Sequence, residues 1–101
     1  MGNNQYTDLW NKYRPVIVSF IKNGGGQYQL NKDEFCQRGN RDDYSFSMTV
    51  INGIVPVLSG SAVARDLKTV LDGSPSFRQY AAGKTVTIRL TSTFALDVRV
   101  A

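Results

Sequence analysis

The chain has 101 residues, 42% of them hydrophobic and 20% charged, which is the size and composition of one globular domain spanning residues 1–101. It contains no histidine, so the usual zinc sites and every Ser-His-Asp or Cys-His catalytic arrangement are excluded. Its single cysteine excludes an intramolecular disulfide and is typical of a reducing compartment, so we expect a cytoplasmic protein.

The formal net charge of +4 comes from lysine and arginine residues that are scattered along the chain. Residues 44–64 carry no charge at all. No apolar run reaches the roughly 18 residues that span a bilayer, and the polar segment MGNNQYTDLW lacks the features of a signal peptide. We therefore expect neither a membrane-bound nor an exported protein.

The first predicted element is a helix from about Asp8 to Lys22, with Thr7 as its N-cap. Pro15 lies inside this helix and either splits it in two or kinks it. The apolar residues keep helical spacing across the proline, which favours one kinked helix. These apolar residues are Leu9, Trp10, Tyr13, Val16, Ile17, Phe20 and Ile21.

Three consecutive glycines follow in the segment KNGGGQYQL, residues 22–30. Gly24 is predicted to take the left-handed conformation that ends a helix, and Gly25 and Gly26 to form a turn before a short strand over residues 28–30. A phosphate-binding loop needs a strand before its glycines and a helix after them. The order here is reversed, so we interpret the run as a helix stop.

A short second helix is predicted over Lys32–Arg38. Asn31 and Glu34 have the spacing of a capping box at its start. Phe35 and Cys36 are expected on its buried side, which makes the cysteine a structural thiol rather than a reactive one.

Two carboxylate pairs, Asp33-Glu34 and Asp42-Asp43, are the candidates for acid–base chemistry. A catalytic role needs one of these carboxylates in an apolar pocket. Both pairs lie in a charged, turn-rich stretch, so we favour a solvated surface, with Glu34 in a capping role.

Residues 44–51 alternate between apolar and polar, which predicts a half-buried strand. Asn52-Gly53 predicts a type I′ hairpin turn, and Ile54–Leu58 is the predicted returning strand. Pro56 cannot donate to a hydrogen-bond ladder, so this strand is expected at a sheet edge. Because the strand is apolar on both faces, its outer side is covered either by a helix of the same chain or by another chain.

Two more helices and a closing hairpin complete the prediction. The third helix spans Ala62–Asp72, a short fourth helix starts at Ser74 and Pro75, and strands are predicted over residues 85–91 and 94–100. The elements predict an α+β fold: a mostly antiparallel sheet of four or five strands, made of two hairpins and a short strand, with two longer helices on one face and two short helices. The core stripe of the third helix is Val63, Leu67, Val70 and Leu71.

The segment Ser59-Gly60-Ser61 follows a predicted strand and opens a helix, and Arg65 lies one turn further on. This is the arrangement of an anion site at a helix N-terminus, although a serine that simply caps the helix gives the same pattern. Arg14, Lys68 and Arg89 are further candidates for contact with an anion or a partner. Convergence of the three arginines on one cleft would favour the anion.

The segments Leu9-Trp10-Asn11-Lys12-Tyr13-Arg14-Pro15 and Ser61-Ala62-Val63-Ala64-Arg65-Asp66-Leu67 resemble a group of small bacterial proteins of unknown function, mainly of the Bacteroidetes type. The resemblance extends over most of the chain, including the closing hairpin with Phe94 and Leu96. It implies a bacterial α+β domain and no particular activity. The polar residues of the two segments either pair across the two helices, which we favour, or form a shared surface; they are Asn11, Lys12, Arg14, Arg65 and Asp66.

We therefore expect a non-catalytic binding or regulatory domain that acts through protein–protein interaction, including self-association, without a cofactor, metal or membrane. The alternative is a module that binds nucleic acid or another anion. The aromatic residues of strand 44–51 share a face with apolar side chains rather than with lysine and arginine, so they do not form a stacking platform for bases.

Overall fold

The structure is a computed structural model that describes residues 6–38, 44–58 and 61–101. These residues form the predicted α+β fold, with a four-stranded antiparallel sheet in the order β1-β4-β3-β2. The elements in chain order are α1 Thr7–Asn23, β1 Gly25–Gln29, α2 Lys32–Cys36, β2 Phe46–Ile51, α3 Ala62–Asp72, α4 Pro75–Ala81, β3 Thr85–Leu90 and β4 Ala95–Val100.

The sheet has one buried and one open face. Its buried face carries alternate residues of the strands, and α1 packs against β1 and β4 while α3 and α4 pack against α1. On the opposite face, every described strand residue is at least partly exposed. Helices therefore lie on one side only, as an antiparallel sheet with one solvated face allows. The buried strand side chains include Met48, Val50, Val86, Ile88, Leu90, Leu96 and Val98.

The longest helix, α1, runs through Pro15 as one helix, as its unbroken stripe predicts. Trp10 in this stripe is fully buried, and its indole Nε1 donates to the carbonyl of Val63 at 2.9 Å. Phe35 of α2 is also fully buried, and its ring lies 5.3 Å from that of Trp10. The apolar side of α1 thus joins α3 and α2 in one core.

The prediction for the N-cap of α1 is wrong, because the cap is Tyr6 rather than Thr7 and its side chain makes no capping hydrogen bond. The backbone N–H of Tyr6 instead donates to Asp66 of α3 at 2.9 Å. The predicted serine caps are confirmed: Ser61 accepts from Ala64 of α3, and Ser74 caps α4. The caps of α3 and α4 are predictable because the capping serine is adjacent to the helix in sequence. The N-terminus of α1 is instead capped by Asp66, which is distant in sequence.

The glycine run is only partly the predicted turn. Gly24 ends α1 in the left-handed conformation with φ 94°, as expected. Gly25 and Gly26, however, already belong to β1 and pair with β4. A Cβ on Gly25 would lie 2.8 Å from the carbonyl oxygen of Val98, and one on Gly26 would overlap the ring of Phe20. These two glycines therefore let β1 lie close to its neighbours.

The predicted returning strand Ile54–Leu58 does not form. Asn52 and Gly53 make the expected type I′ turn, with φ of 54° and 78°, but pairing stops at an isolated bridge between Ile51 and Ile54. Pro56 has no N–H to continue a ladder. Val55 is 4% exposed and turns into the core. β2 pairs with β3 instead and forms one edge of the sheet.

The closing hairpin is confirmed, and its turn contains an unusual residue. The N–H of Phe94 donates to the carbonyl of Thr91 at 2.9 Å, and the N–H of Thr91 donates to the carbonyl of Ala95 at 3.0 Å. Phe94 has φ 63°, in the left-handed region where such loops usually place glycine. Its ring is fully buried, so the core fixes a side chain at a position that backbone preference alone would give to glycine.

Candidate functional site

The arginines considered as one anion site do not converge. Arg89 lies in β3, paired in register with Ser47, on the open face of the sheet. Arg14 and Arg65 lie on α1 and α3, in the helical layer that covers the other face. The cations are therefore divided between the two sides of the sheet, and a shared cleft is not formed.

The helix-terminal candidates have structural roles where the structure describes them. The hydroxyl of Ser61 accepts the N–H of Ala64 at 3.2 Å, which is a helix cap. The Nζ atom of Lys68 lies 2.9 Å from Asp72 and 3.3 Å from the carbonyl of Val55. Ser59 and Gly60, the other two members of this candidate site, lie outside the described residues.

The polar residues of the two segments that resemble bacterial proteins do not pair with each other across α1 and α3. Arg14 donates to Asn11 within α1 at 3.2 Å. Lys12 turns to Glu34 of α2, and Asp66 accepts the backbone N–H of Tyr6. The favoured interpretation, ion pairs across these helices, is therefore wrong.

Glu34 joins α2 to α1 instead of closing a capping box. One carboxylate oxygen lies 2.7 Å from Nζ of Lys12, and the other accepts the hydroxyl hydrogen of Tyr13. The N-cap itself is Asn31, which accepts the N–H of Asp33 at 3.0 Å. The capping-box motif considers α2 alone, so it does not predict that Glu34 contacts α1. Asp42 and Asp43, the other carboxylate pair, lie outside the described residues.

We call the contacts of Glu34 with Lys12 and Tyr13 the Glu34 junction. This junction predicts that the stability of the protein changes with pH in the acid range. The hydrogen bonds from Lys12 and then Tyr13 lower the pKa of Glu34 below its ordinary 4.5. The carboxylate therefore stabilises the fold above about pH 4.5, and this stabilisation is lost as the pH falls through the lowered folded-state pKa. We expect Glu34→Gln to lose less stability than the wild type on acidification below this pH, measured by urea unfolding across the pH range.

Asp33→Asn is the matched control for this experiment, because Asp33 is the exposed neighbour of Glu34 on the same helix. In this control, the loss of stability on acidification that depends on Glu34 should be the same as in the wild type. Equal acid sensitivity in Glu34→Gln and the wild type would contradict a stabilising role for the junction.

Cys36 is less buried than predicted. It is half-buried at the end of α2, whereas the adjacent Phe35 is fully buried. Burial raises the pKa of the Tyr44 hydroxyl, and hydrogen bonds with Tyr6 and Cys36 raise it further. The thiol thus belongs to a small polar group at the edge of the aromatic core.

A groove of about 370 Å³ lies on the sheet beside Arg89. Four of its lining residues carry hydroxyl groups and two are apolar; they belong to the start of β2 with the residue before it, to the end of β3 and to the β3–β4 turn. Among the described residues, Arg89 is the one charged member of the lining. The lining residues are Ser45, Phe46, Ser47, Arg89, Leu90, Thr91 and Ser92.

A second surface lies at the free edge of β2. We call the exposed side chains of Ile51, Ile54 and Val57 the edge patch; they are 60%, 70% and 88% exposed. No described strand lies beyond β2 in the sheet order. The N–H of Asn52 donates to the carbonyl of Lys84, the residue before β3, and the N–H of Ile51 donates outward to Ile54. By alternation, the backbone groups of Thr49 face the open edge.

The uncovered apolar segment of the edge patch and the hydroxyl-rich outer faces of the hairpins are evident in the sequence, but the placement of Ser47 beside Arg89 is not. The register that places Ser47 opposite Arg89 depends on the pairing of β2 with β3. The sequence favours a hairpin between β2 and the segment after Asn52-Gly53, so it does not predict that Ser47 pairs with Arg89 of β3. Hydroxyl residues in strands are common, and composition alone does not single these out.

Within the three described ranges, no helix is long and apolar enough to cross a membrane. The same residues contain no group of three or more Cys, Asp or Glu side chains placed to hold a metal ion. In comparisons with protein-family models, curated proteins and solved structures, none matches the chain.

Proposed function

We propose that the protein is a non-catalytic cytoplasmic binding domain that acts through protein–protein interaction, and that its partner at the free edge of β2 is a second copy of the same chain. The observation that carries this proposal is the edge patch, where three large apolar side chains are mostly exposed beside an edge of β2 on which no described strand pairs. Exposed strand edges are templates for pairing with another strand. A half-buried free thiol is compatible with the reducing compartment that we propose.

A second copy fits this edge because the edge is complementary to itself. A two-fold axis places the same surface of both copies in contact, so a charged edge strand would face its own charge. Residues 44–64 are uncharged, and antiparallel pairing of two β2 strands brings no like charges together. Charged residues and inward-pointing lysines, which usually protect an edge, are absent from β2.

The energetics favour the same arrangement. Fully burying an isoleucine or valine side chain contributes about 1.5–3 kcal/mol, and each copy supplies three such side chains to the edge patch. The open backbone groups around Thr49 add hydrogen bonds between the strands. Pairing would join two four-stranded sheets into one continuous sheet.

Sedimentation of the wild type and of Ile54→Lys over micromolar to submillimolar concentrations tests the proposal. We expect a concentration-dependent dimer in the wild type, and a dissociation constant at least about tenfold higher in the variant, because a lysine at the edge patch faces its own copy. Gln27→Lys adds the same charge to the exposed opposite edge strand β1 and should associate like the wild type.

Amide hydrogen exchange identifies the surface that is used. Exchange of the Thr49 amide should slow as the protein concentration rises, because its N–H faces the edge that the second copy covers. A wild type that remains monomeric at all concentrations would contradict self-association. A dimer with no added protection in β2 would place the interface elsewhere.

The alternative function, anion binding, is supported by one feature, the groove beside Arg89. A nucleic-acid surface needs several cations along one face. Arg14, Arg65 and Lys68 lie on the helical side of the sheet and Arg89 on the open side. This division favours a small anion over a polymer.

A further inference from the structure

We propose that the groove beside Arg89 binds a small ligand through a phosphate group. The groove and the edge patch share no residue, although both lie along β2, and the observations behind this inference do not include self-association. Its volume of about 370 Å³ lies at the small end of the range of about 300–1,000 Å³ that is usual for ligand pockets. The groove therefore suits one phosphate group with a small attached body.

The charge for this site comes from Arg89, whose guanidinium is uncommitted. Within the described part of the chain, the side chain of Arg89 makes no hydrogen bond and no ion pair, and it is exposed. Asp97 is its register partner on β4, but the Asp97 carboxylate lies 3.0 Å from Nε of Arg99. A guanidinium presents five N–H donors in a fixed fork that matches phosphate oxygens.

The hydroxyl groups around Arg89 supply the remaining donors. Ser47 is its register partner on β2, and Ser92 lies in the adjoining turn; both are exposed and line the groove. The hydroxyl of Thr91 is already used, because it accepts the N–H of Ala95 at 3.0 Å and lies 3.0 Å from the hydroxyl of Thr93. One arginine fork and two serine hydroxyls on different sides suit the several oxygens of a phosphate better than the two of a carboxylate.

The backbone holds this arrangement in place. β3 is a central strand that pairs with β2 on one side and β4 on the other. Leu90, the next residue after Arg89, is 1% exposed and anchors the strand in the core. The turn that carries Ser92 is closed by hydrogen bonds of Thr91 with Phe94 and Ala95. A site on rigid elements requires little ordering when the ligand binds.

Titration of the isotope-labelled protein with inorganic phosphate, followed by amide resonances at constant ionic strength, tests the inference. We expect saturable shifts at Ser47, Arg89 and Ser92, and no such shifts with chloride alone. Arg89→Gln should weaken binding at least about tenfold, because it removes the charged donor fork. Arg65→Gln, which removes one exposed positive charge from the helical side, should bind like the wild type.

Asp97→Asn is the second variant. It removes the carboxylate that faces Arg89 in register, so it should bind phosphate more tightly than the wild type. Ile54→Lys should keep phosphate binding even where it loses self-association, which separates the two proposals.

The same titration defines the results that would overturn the inference. Shifts that fail to saturate, or equal losses in Arg89→Gln and Arg65→Gln, would indicate general attraction by net charge. Acetate that binds as tightly as phosphate would make the groove a carboxylate site. Tighter binding of a single-stranded oligonucleotide, reduced equally by both arginine variants, would assign the function to a nucleic-acid surface.

Discussion

Phe94→Ala is expected to destabilise the protein by about 3–5 kcal/mol, the usual cost of truncating a fully buried phenylalanine. The ring of Phe94 is completely buried and lies 5.2 Å from that of Phe35 and 5.1 Å from that of Tyr44. Its removal opens a cavity where the hairpin turn meets α2 and Tyr44, which precedes β2. Urea unfolding, followed by tryptophan fluorescence, measures the loss.

The order of two Phe94 variants tests the backbone at this position. With φ 63°, alanine keeps the left-handed strain and glycine relieves it, so Phe94→Gly should be more stable than Phe94→Ala by about 1 kcal/mol. Phe77 is the matched control, because it is equally buried but lies in α4. There the order should reverse, since glycine is about 1 kcal/mol less favourable than alanine in a helix. If the alanine and glycine variants had the same order of stability at positions 94 and 77, backbone strain at Phe94 would be contradicted.

Asp66→Ala is expected to destabilise the protein by about 1–3 kcal/mol, because it leaves the backbone N–H of Tyr6 without its buried acceptor. Asp66 is 2% exposed, and its Oδ2 lies 2.9 Å from that nitrogen. Asp66→Asn keeps an oxygen acceptor and should recover part of the loss. Thermal unfolding and amide exchange of the first turn of α1 measure both variants. Equal losses in the two would contradict a capping role.

Asp66 also has a pH dependence opposite to that of Glu34. Burial raises the pKa of Asp66 above its ordinary 3.8, against the lowering effects of the Tyr6 N–H and Arg65. The folded protein therefore holds this proton more tightly than the unfolded chain, and stability falls as the pH rises through the window above 3.8. As the pH rises through this window, the wild type should lose stability relative to Asp66→Asn, which has no carboxyl group at this position. A difference that is independent of pH would contradict the raised pKa.

The local elements are predictable because their signals lie within a few residues of each other. The stripe of α1 continues across Pro15, and the helix does also. Ser74 next to Pro75 starts α4 as expected, because the cap is an adjacent side chain. Asn52-Gly53 forms its type I′ turn because both residues tolerate positive φ.

Side chains that act at a distance could not be assigned in this way. Glu34 has the spacing of a capping box, yet it binds Lys12 and Tyr13 of α1. Asp66 has no partner near it in sequence and caps another helix through Tyr6. The partners of Glu34 and Asp66 depend on how two helices pack together, so no pattern within one helix predicts them.

Patterns along the chain are enough to predict the helices, the closing hairpin, the uncharged apolar segment and the fold class. The pairing of β2 with β3 is evident only in the folded protein, where Pro56 cannot extend a ladder and Val55 is buried in the core. That one choice leaves β2 at the sheet edge and sets Ser47 beside Arg89. Turns and caps follow from neighbouring residues, whereas strand partners follow from a competition between distant segments for the same backbone groups and the same core.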